Sequence, residues 1–151
     1  MQVAEVNIHR VLLIDDDPEE IMILQEAIYE AKSEIVVTQV YGFYERNIGA
    51  FKSADLIFLD INMPCFDGFD WLRKIRSAGC NLPVIMYSTT NNEENINKAY
   101  ELGAHLFLVK PGNYTGLRHS VQSIFSYNWQ KPEEVKSRHC QNGKYYPFLY
   151  Q

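Results

Sequence analysis

The chain has 151 residues, 46% hydrophobic and 22% charged, the proportions of one globular domain. A net charge of −5 leaves no basic footprint for nucleic acid or an anionic membrane surface. No apolar run approaches the roughly 20 residues that cross a bilayer, and the start MQVAEVNIHR lacks the apolar stretch of a signal peptide. Cys65, Cys80 and Cys140 are odd in number and widely spaced. With four scattered histidines they form neither a disulfide framework nor a zinc motif, and a reducing cytoplasm is the expected setting.

In chain order, RVLLID (10–15) reads as a buried strand and PEEIMILQEAIYEAK (18–32) as a helix with Ile21, Leu24, Ile28 and Ala31 on one face. EIVVTQV (34–40) is β-branched and strand-like, and YERNIGAF (44–51) suits a short helix. DLIFLD (55–60) is a second buried strand. GFDWLRKIRSA (68–78) is amphipathic, with Trp71, Leu72 and Ile75 inward and Gly79 placed to cap it. PVIMYS (83–88) is a strand, NEENINKAYELG (92–103) a helix stopped by Gly103, HLFLVKP (105–111) the fifth strand and YTGLRHSVQSIFSYNW (114–129) the fifth helix. Five βα units with near-continuous apolar strands predict an α/β fold, a five-stranded parallel sheet covered by helices on both faces.

In such a sheet ligands bind beyond the C-terminal ends of the strands. Asp15 and Asp16 follow strand 1, Asp60 ends strand 3, Ser88 and Thr89 end strand 4, and Lys110 with Pro111 ends strand 5. Asp17, Pro18, Glu19 and Glu20 are explained as a helix start: an N-cap, a proline at the first position and acids at the positive end of the dipole. Asp15 and Asp16 are not. They are either a solvated loop or part of a site for a hard cation such as Mg²⁺. Three converging carboxylates with a cation, a hydroxyl and a lysine opposite would cradle a phosphoryl group, and a carboxylate can itself accept one as an acyl phosphate.

LLIDDD (12–17), LIFLDINMPCFDG (56–68), PVIMYST (83–89) and GAHLFLVKP (103–111) together resemble the receiver domain of a two-component response regulator, a (βα)5 doubly wound flavodoxin-like fold, over residues 7–129. The resemblance implies that Asp60 is the phosphoacceptor. It implies that Asp16 binds Mg²⁺ directly, Asp15 through water, and that Asn62 lends the metal its backbone carbonyl. It makes Ser88 the switch hydroxyl, Lys110 the phosphoryl-pairing cation and Phe107 the switch aromatic, and it fits Met63, Pro64 and Gly68 to the loop after the acceptor strand. It further implies a cis Lys110–Pro111 bond that turns the lysine into the pocket. Thr89 departs from the small residue usual after the switch hydroxyl and narrows access to the phosphoryl position.

The implied function is a phosphorylation-dependent switch served by a histidine kinase or phosphotransfer protein. Output is expected through the fourth helix, fifth strand and fifth helix, near Lys98, Glu101, His105 and Arg118, with Phe107 rotating inward as the Ser88 loop moves. A Mg²⁺-dependent phosphohydrolase is the rival, disfavoured because Asn62 stands where such an enzyme needs a second acid; a scaffold without phosphorylation is the other. After Trp129 the βα pattern ends. Pro132 is expected to break the helix, leaving 130–151 as a tail without a separate output domain. Its Tyr145, Tyr146, Phe148, Leu149 and Tyr150 either pack on their own domain or meet a downstream protein or a second copy. A homodimer is expected to use that tail or the same helix 4, strand 5, helix 5 face.

Overall fold

In a computed structural model of the chain, residues 8–40, 51, 53–63 and 67–150 are described. β1 (Arg10–Ile14), β2 (Val36–Val40), β3 (Leu56–Asp60), β4 (Val84–Ser88) and β5 (Leu106–Val109) form one parallel sheet in the order β2-β1-β3-β4-β5. α1 (Pro18–Ala31), α2 (Gly68–Ser77), α3 (Glu93–Glu101) and α4 (Tyr114–Phe125) cover it. The short helix expected over 44–51 falls, apart from Phe51, outside the described residues, as do Pro64 and Cys65.

Alternation along the strands sorts the core into two layers. Val11 and Leu13, Leu56 and Phe58, Ile85 and Tyr87, and Leu106 and Leu108 face α1 and α4, where Ile21, Leu24, Ile28, Leu117, Val121 and Ile124 meet them. Leu12 and Ile14, Ile57 and Leu59, Val84 and Met86, and Phe107 face α2 and α3, against Trp71, Leu72, Ile75, Ile96, Ala99 and Tyr100. β3 and β4 are buried along their whole length, because both have sheet neighbours and helices above and below. β2 lies at the edge and is mostly exposed.

The helix boundaries follow the caps. Asp17 Oδ1 accepts from Glu19 N–H at 3.0 Å, with Pro18 at the first helical position. Asn92 caps α3 and Asn113 caps α4. Gly79 (φ 79°) and Gly103 (φ 107°) end α2 and α3 in the left-handed region where glycine is unstrained.

The tail differs from expectation. α4 stops at Phe125 rather than running to Trp129, whose indole N–H caps the Ile124 carbonyl at 2.9 Å. Pro132 does not end a helix but opens one, α5 (Pro132–Arg138), since proline suits the first turn. Glu133 and Glu134 at its start and Lys136 and Arg138 at its end complement the dipole. A hairpin follows, β6 (Cys140–Gln141) and β7 (Lys144–Tyr145), turned by Asn142 and Gly143 at φ 55° and 75°. Phe148 then lies parallel to β5: its N–H donates to the Phe107 carbonyl (2.7 Å), and its carbonyl accepts from Val109 N–H (3.2 Å). The tail thus packs on its own domain.

Candidate functional site

The strand order reverses between β1 and β3, so the residues after these two strands are neighbours at one rim. Asp15 and Asp60 are each only 5% exposed there, and Asp16 is exposed. Carboxylate oxygens of Asp15, Asp16 and Asp60 all lie within 4.8 Å of one another. Burial, with the charge of Asp60 adding to it, pushes the Asp15 carboxyl up to about 7 although it accepts from Asp17 N–H at 3.0 Å. This donor set is oxygen-only, acidic and mutually repelling, and a hard divalent cation is the group that would relieve it. The residues therefore fit Mg²⁺.

Asp60 Oδ1 accepts from the N–H of exposed Asn62 at 3.3 Å. Behind Asp60 the chain closes tightly. A Cβ added to Gly68 would lie 2.4 Å from the Asp60 carbonyl oxygen and 2.8 Å from Ile61 Cα, so only glycine lets α2 start against the end of β3. Met63 is buried beside this turn.

Lys110 arrives from β5 across the intervening strand. Its Nζ lies 3.5 Å from Asp60 Oδ1, 3.5 Å from Glu20 Oε2 and 4.5 Å from the centre of the Tyr87 ring. No described peptide bond is cis, so the expected cis Lys110–Pro111 bond is not found. The lysine is aimed instead by the backbone before it: Lys110 N–H donates to the Ser88 carbonyl at 2.7 Å, and the long side chain spans the remaining gap over Tyr87. The trans form is also the ordinary one for such bonds.

Ser88 is fully buried at the end of β4, its Oγ accepting from Thr90 N–H at 3.3 Å. Thr89 is exposed and lines a groove of about 460 Å³ between α1 and α4, with Glu20, Ile23, Lys110, Pro111 and Tyr114. Phe107 is already fully buried, so the inward space expected to receive it later is filled here. Its N–H donates to Tyr100 Oη at 3.0 Å.

Of the four residues expected to mark one output surface, Lys98 and Glu101 are exposed on α3, but His105 is buried. His105 is 5% exposed and bonds Glu133 of the tail at 3.1 Å. Lys98 sits over the Phe69 ring of α2, and Arg118 pairs with Glu30 of α1 at 3.8 Å. Phe148 occupies the β5 edge expected to serve a homodimer. Glu20, Tyr87, Thr90 and Tyr100 were missed by sequence reasoning. Glu20 had a sufficient explanation as a first-turn acid, and the other three contact the site or switch residues only through the fold.

An open, doubly wound parallel sheet with acids after β1 and β3 and a lysine after β5 is a flavodoxin-like receiver fold. Residues 11–122 match the family described as response regulator receiver domain, and the chain belongs to that family. A two-component signalling role follows from that membership. Among curated relatives, the chain is 30% identical over 133 residues to the uncharacterized transcriptional regulatory protein YvcP of Bacillus subtilis, covering 85% of this chain and 55% of that one. It is 34% identical over 145 residues to protein-glutamate methylesterase/protein-glutamine glutaminase 2 of Methanospirillum hungatei, covering 89% and 41%. The chain thus spans about half the length of the curated relatives it matches. Among solved structures, the phosphorylated cyanobacterial phytochrome response regulator RcpA matches with a TM-score of 0.68 and 27% identity, over 82% of this chain and 94% of that one. Chemotaxis protein CheY4 of Vibrio cholerae matches at 0.65 and 26%, over 78% and 98%. Among the described residues no helix is long and apolar enough to cross a membrane.

Proposed function

We propose that this chain is a phosphorylation-dependent signalling switch that accepts a phosphoryl group on Asp60 from a histidine kinase or a phosphotransfer protein. The observation that carries the reading is the buried Asp60 carboxylate, held 3.5 Å from Lys110 Nζ and grouped with Asp15 and Asp16. An Asp60 oxygen attacks phosphorus, the P–N bond of the donor phosphohistidine breaks, and the imidazole leaves with the electron pair and takes a proton from water. Lys110 balances the charge of the transferring group. Asp16 and Asp60, with the Asn62 carbonyl, would hold Mg²⁺ and Asp15 would assist; the metal supplies electrostatic stabilisation of the phosphoryl oxygens. Ser88 would donate to a phosphoryl oxygen once its loop moves inward, and Phe107, already buried, needs no inward rotation. The groove beside Lys110, with exposed Ile23 of α1 on its rim, supports a route for the donor. Residues 7–129 act as the receiver unit, and the signal leaves through changed protein contacts.

The test is to add a small phosphodonor such as acetyl phosphate with Mg²⁺ and weigh the chain. A gain of one phosphoryl group per chain, lost in Asp60→Asn and in Asp16→Asn, is expected. Undiminished labelling in Asp16→Asn would sink the metal assignment. Continuous phosphate release without a labelled chain would favour a hydrolase, and no reaction would favour a scaffold.

A further inference from the structure

The outer edge of β5 is not free. Segment 144–150 lies along it and reaches the switch aromatic by two routes. On one side the Phe107 carbonyl accepts from Phe148 N–H at 2.7 Å. On the other, Phe107 N–H donates to Tyr100 Oη (3.0 Å), and that hydroxyl in turn donates to the Tyr146 carbonyl (2.9 Å). Tyr145 stacks on the Tyr100 ring at 4.6 Å and 12°. Lys144 pairs with Glu93 at the start of α3 (3.1 Å), and the Tyr150 ring packs where a Gly116 Cβ would lie, at the start of α4. The segment therefore bridges α3, β5 and α4, and both backbone polar groups of Phe107 are bonded to it or through Tyr100 to it.

Its hold is partial. Tyr146, Leu149 and Tyr150 are 42%, 48% and 41% exposed, and only Tyr145, Pro147 and Phe148 turn inward. A segment attached by two sheet hydrogen bonds, a third from Tyr100 Oη, an exposed ion pair and a few half-buried rings is the kind of element that opens locally without global unfolding. An extended segment added to a sheet edge is also a recognised form of peptide binding, with main-chain bonds giving affinity and alternate side chains giving fit.

We propose that the β5 edge is a strand-accepting site filled by the chain's own residues 144–150, and that its occupancy is coupled to the phosphorylation state of Asp60. This rests on the phosphorylation reading above. The contacts are made with Phe107 buried and its N–H bonded to Tyr100 Oη. A shift of α3 that moves Tyr100 on phosphorylation would break its bonds to Phe107 N–H and the Tyr146 carbonyl, so the strap holds this arrangement better than a shifted one. Phosphorylation then loosens the strap and bares an edge of β5 and the face of Tyr100 to an extended, aromatic-bearing segment of a partner. By linkage, a loosened strap favours the phosphorylated state by the same factor.

The experiment uses the full chain. Amide exchange is followed at Phe148 and Val109, with and without acetyl phosphate and Mg²⁺, alongside Asp60→Asn, while mass spectrometry reports labelling. At least about fivefold faster exchange at these amides is expected in the labelled chain, the lower end of ordinary coupling, with no change in Asp60→Asn. A labelled chain with unchanged exchange overturns the coupling. Failure to label Asp60 overturns the phosphorylation reading and the coupling with it. The reciprocal arm is Tyr100→Phe, which deletes the bridging hydroxyl and keeps the ring. Its affinity for beryllium trifluoride with Mg²⁺ should rise about as much as the labelled chain's exchange does. Merely structural damage would lower that affinity, so an unchanged or weaker affinity counts against the proposal. Phe148→Pro, which removes the N–H donor at the other contact, should act in the same direction.

Discussion

Lys110 shows how much of the site rests on single side chains. Its ammonium is shared between Asp60 and Glu20 and floored by Tyr87, which keeps the cation at the rim. Gly68 works from behind, since nothing larger fits against the Asp60 carbonyl. Gly68→Ala should therefore cost about 1–3 kcal/mol, the range for forcing atoms into a packed place, and should also displace Asp60. Urea unfolding measures the first effect and the rate of labelling by acetyl phosphate the second. A variant with wild-type stability and rate would contradict the close approach. Thr89 is exposed in the groove beside Lys110, and Thr89→Ala widens the way in. Its labelling and its loss of label should both be several-fold faster in stopped-flow or mass measurements, and equal rates would show that the threonine does not obstruct. Much of this scale was legible in the sequence. Asp15, Asp16, Asp60, Ser88 and Lys110 lie at strand ends, where fold class alone brings them to one rim. The trans Lys110–Pro111 bond was not legible, because the hydrogen bond from Lys110 N–H to the Ser88 carbonyl that aims the lysine depends on β4 and β5 being paired.

At the scale of elements, the sheet and the four helices that cover it among the described residues follow from periodicity and caps, and the strands and the helices expected around 18–32, 68–78 and 92–103 appear within a residue or two of their expected ends. The tail was less legible, although two local signals were present. PEEVKSR carries proline and two acids at a helix start and two cations near its end, and QNGK holds the Asn-Gly pair that a tight hairpin favours. Neither segment is long enough to stand alone, so both depend on tertiary contacts that no periodicity encodes: Val135 buried in the core, Lys136 Nζ donating to the Tyr100 carbonyl at 2.8 Å, and Glu133 on His105. The turn offers a direct check. Asn142 and Gly143 both take positive φ, and Gly143→Ala places a side chain in the left-handed region at a cost of about 1–2 kcal/mol. Amide exchange at Tyr146 should quicken while exchange in β3 and β4 stays unchanged. Equal protection at Tyr146 would mean that the hairpin does not set the position of the strap.

Across the whole molecule, two buried ionisable groups sit at opposite ends of the sheet and oppose each other. His105, at the start of β5, is pushed down to about 4 by burial and by the Arg76 guanidinium beside it. Its Nδ1 faces Arg76 and the Val84 N–H, both donors, so the ring is the neutral form that donates through Nε2 to Glu133. Between about pH 6.5 and 4 the unfolded chain binds a proton there that the folded chain does not. This contribution to stability therefore falls as pH falls, by about 1.4 kcal/mol per pH unit. Asp15, beyond the end of β1, is pushed up to about 7. Between about pH 4 and 7 the folded chain keeps a proton there that the unfolded chain has lost, so this contribution falls as pH rises, with a similar slope. The two slopes share one window and nearly cancel. The pH dependence from this pair in the metal-free chain should thus be shallow between pH 4.5 and 6.5. Asp15→Asn should uncover the His105 slope and make urea-measured stability climb with pH over that range. His105→Gln should uncover the Asp15 slope and make it decline. Mg²⁺, by favouring the ionised carboxylate, should turn the wild-type curve toward the Asp15→Asn shape without altering Asp15→Asn itself to the same degree. Parallel curves for the wild type and both variants would show that neither group is held away from its ordinary protonation by the fold.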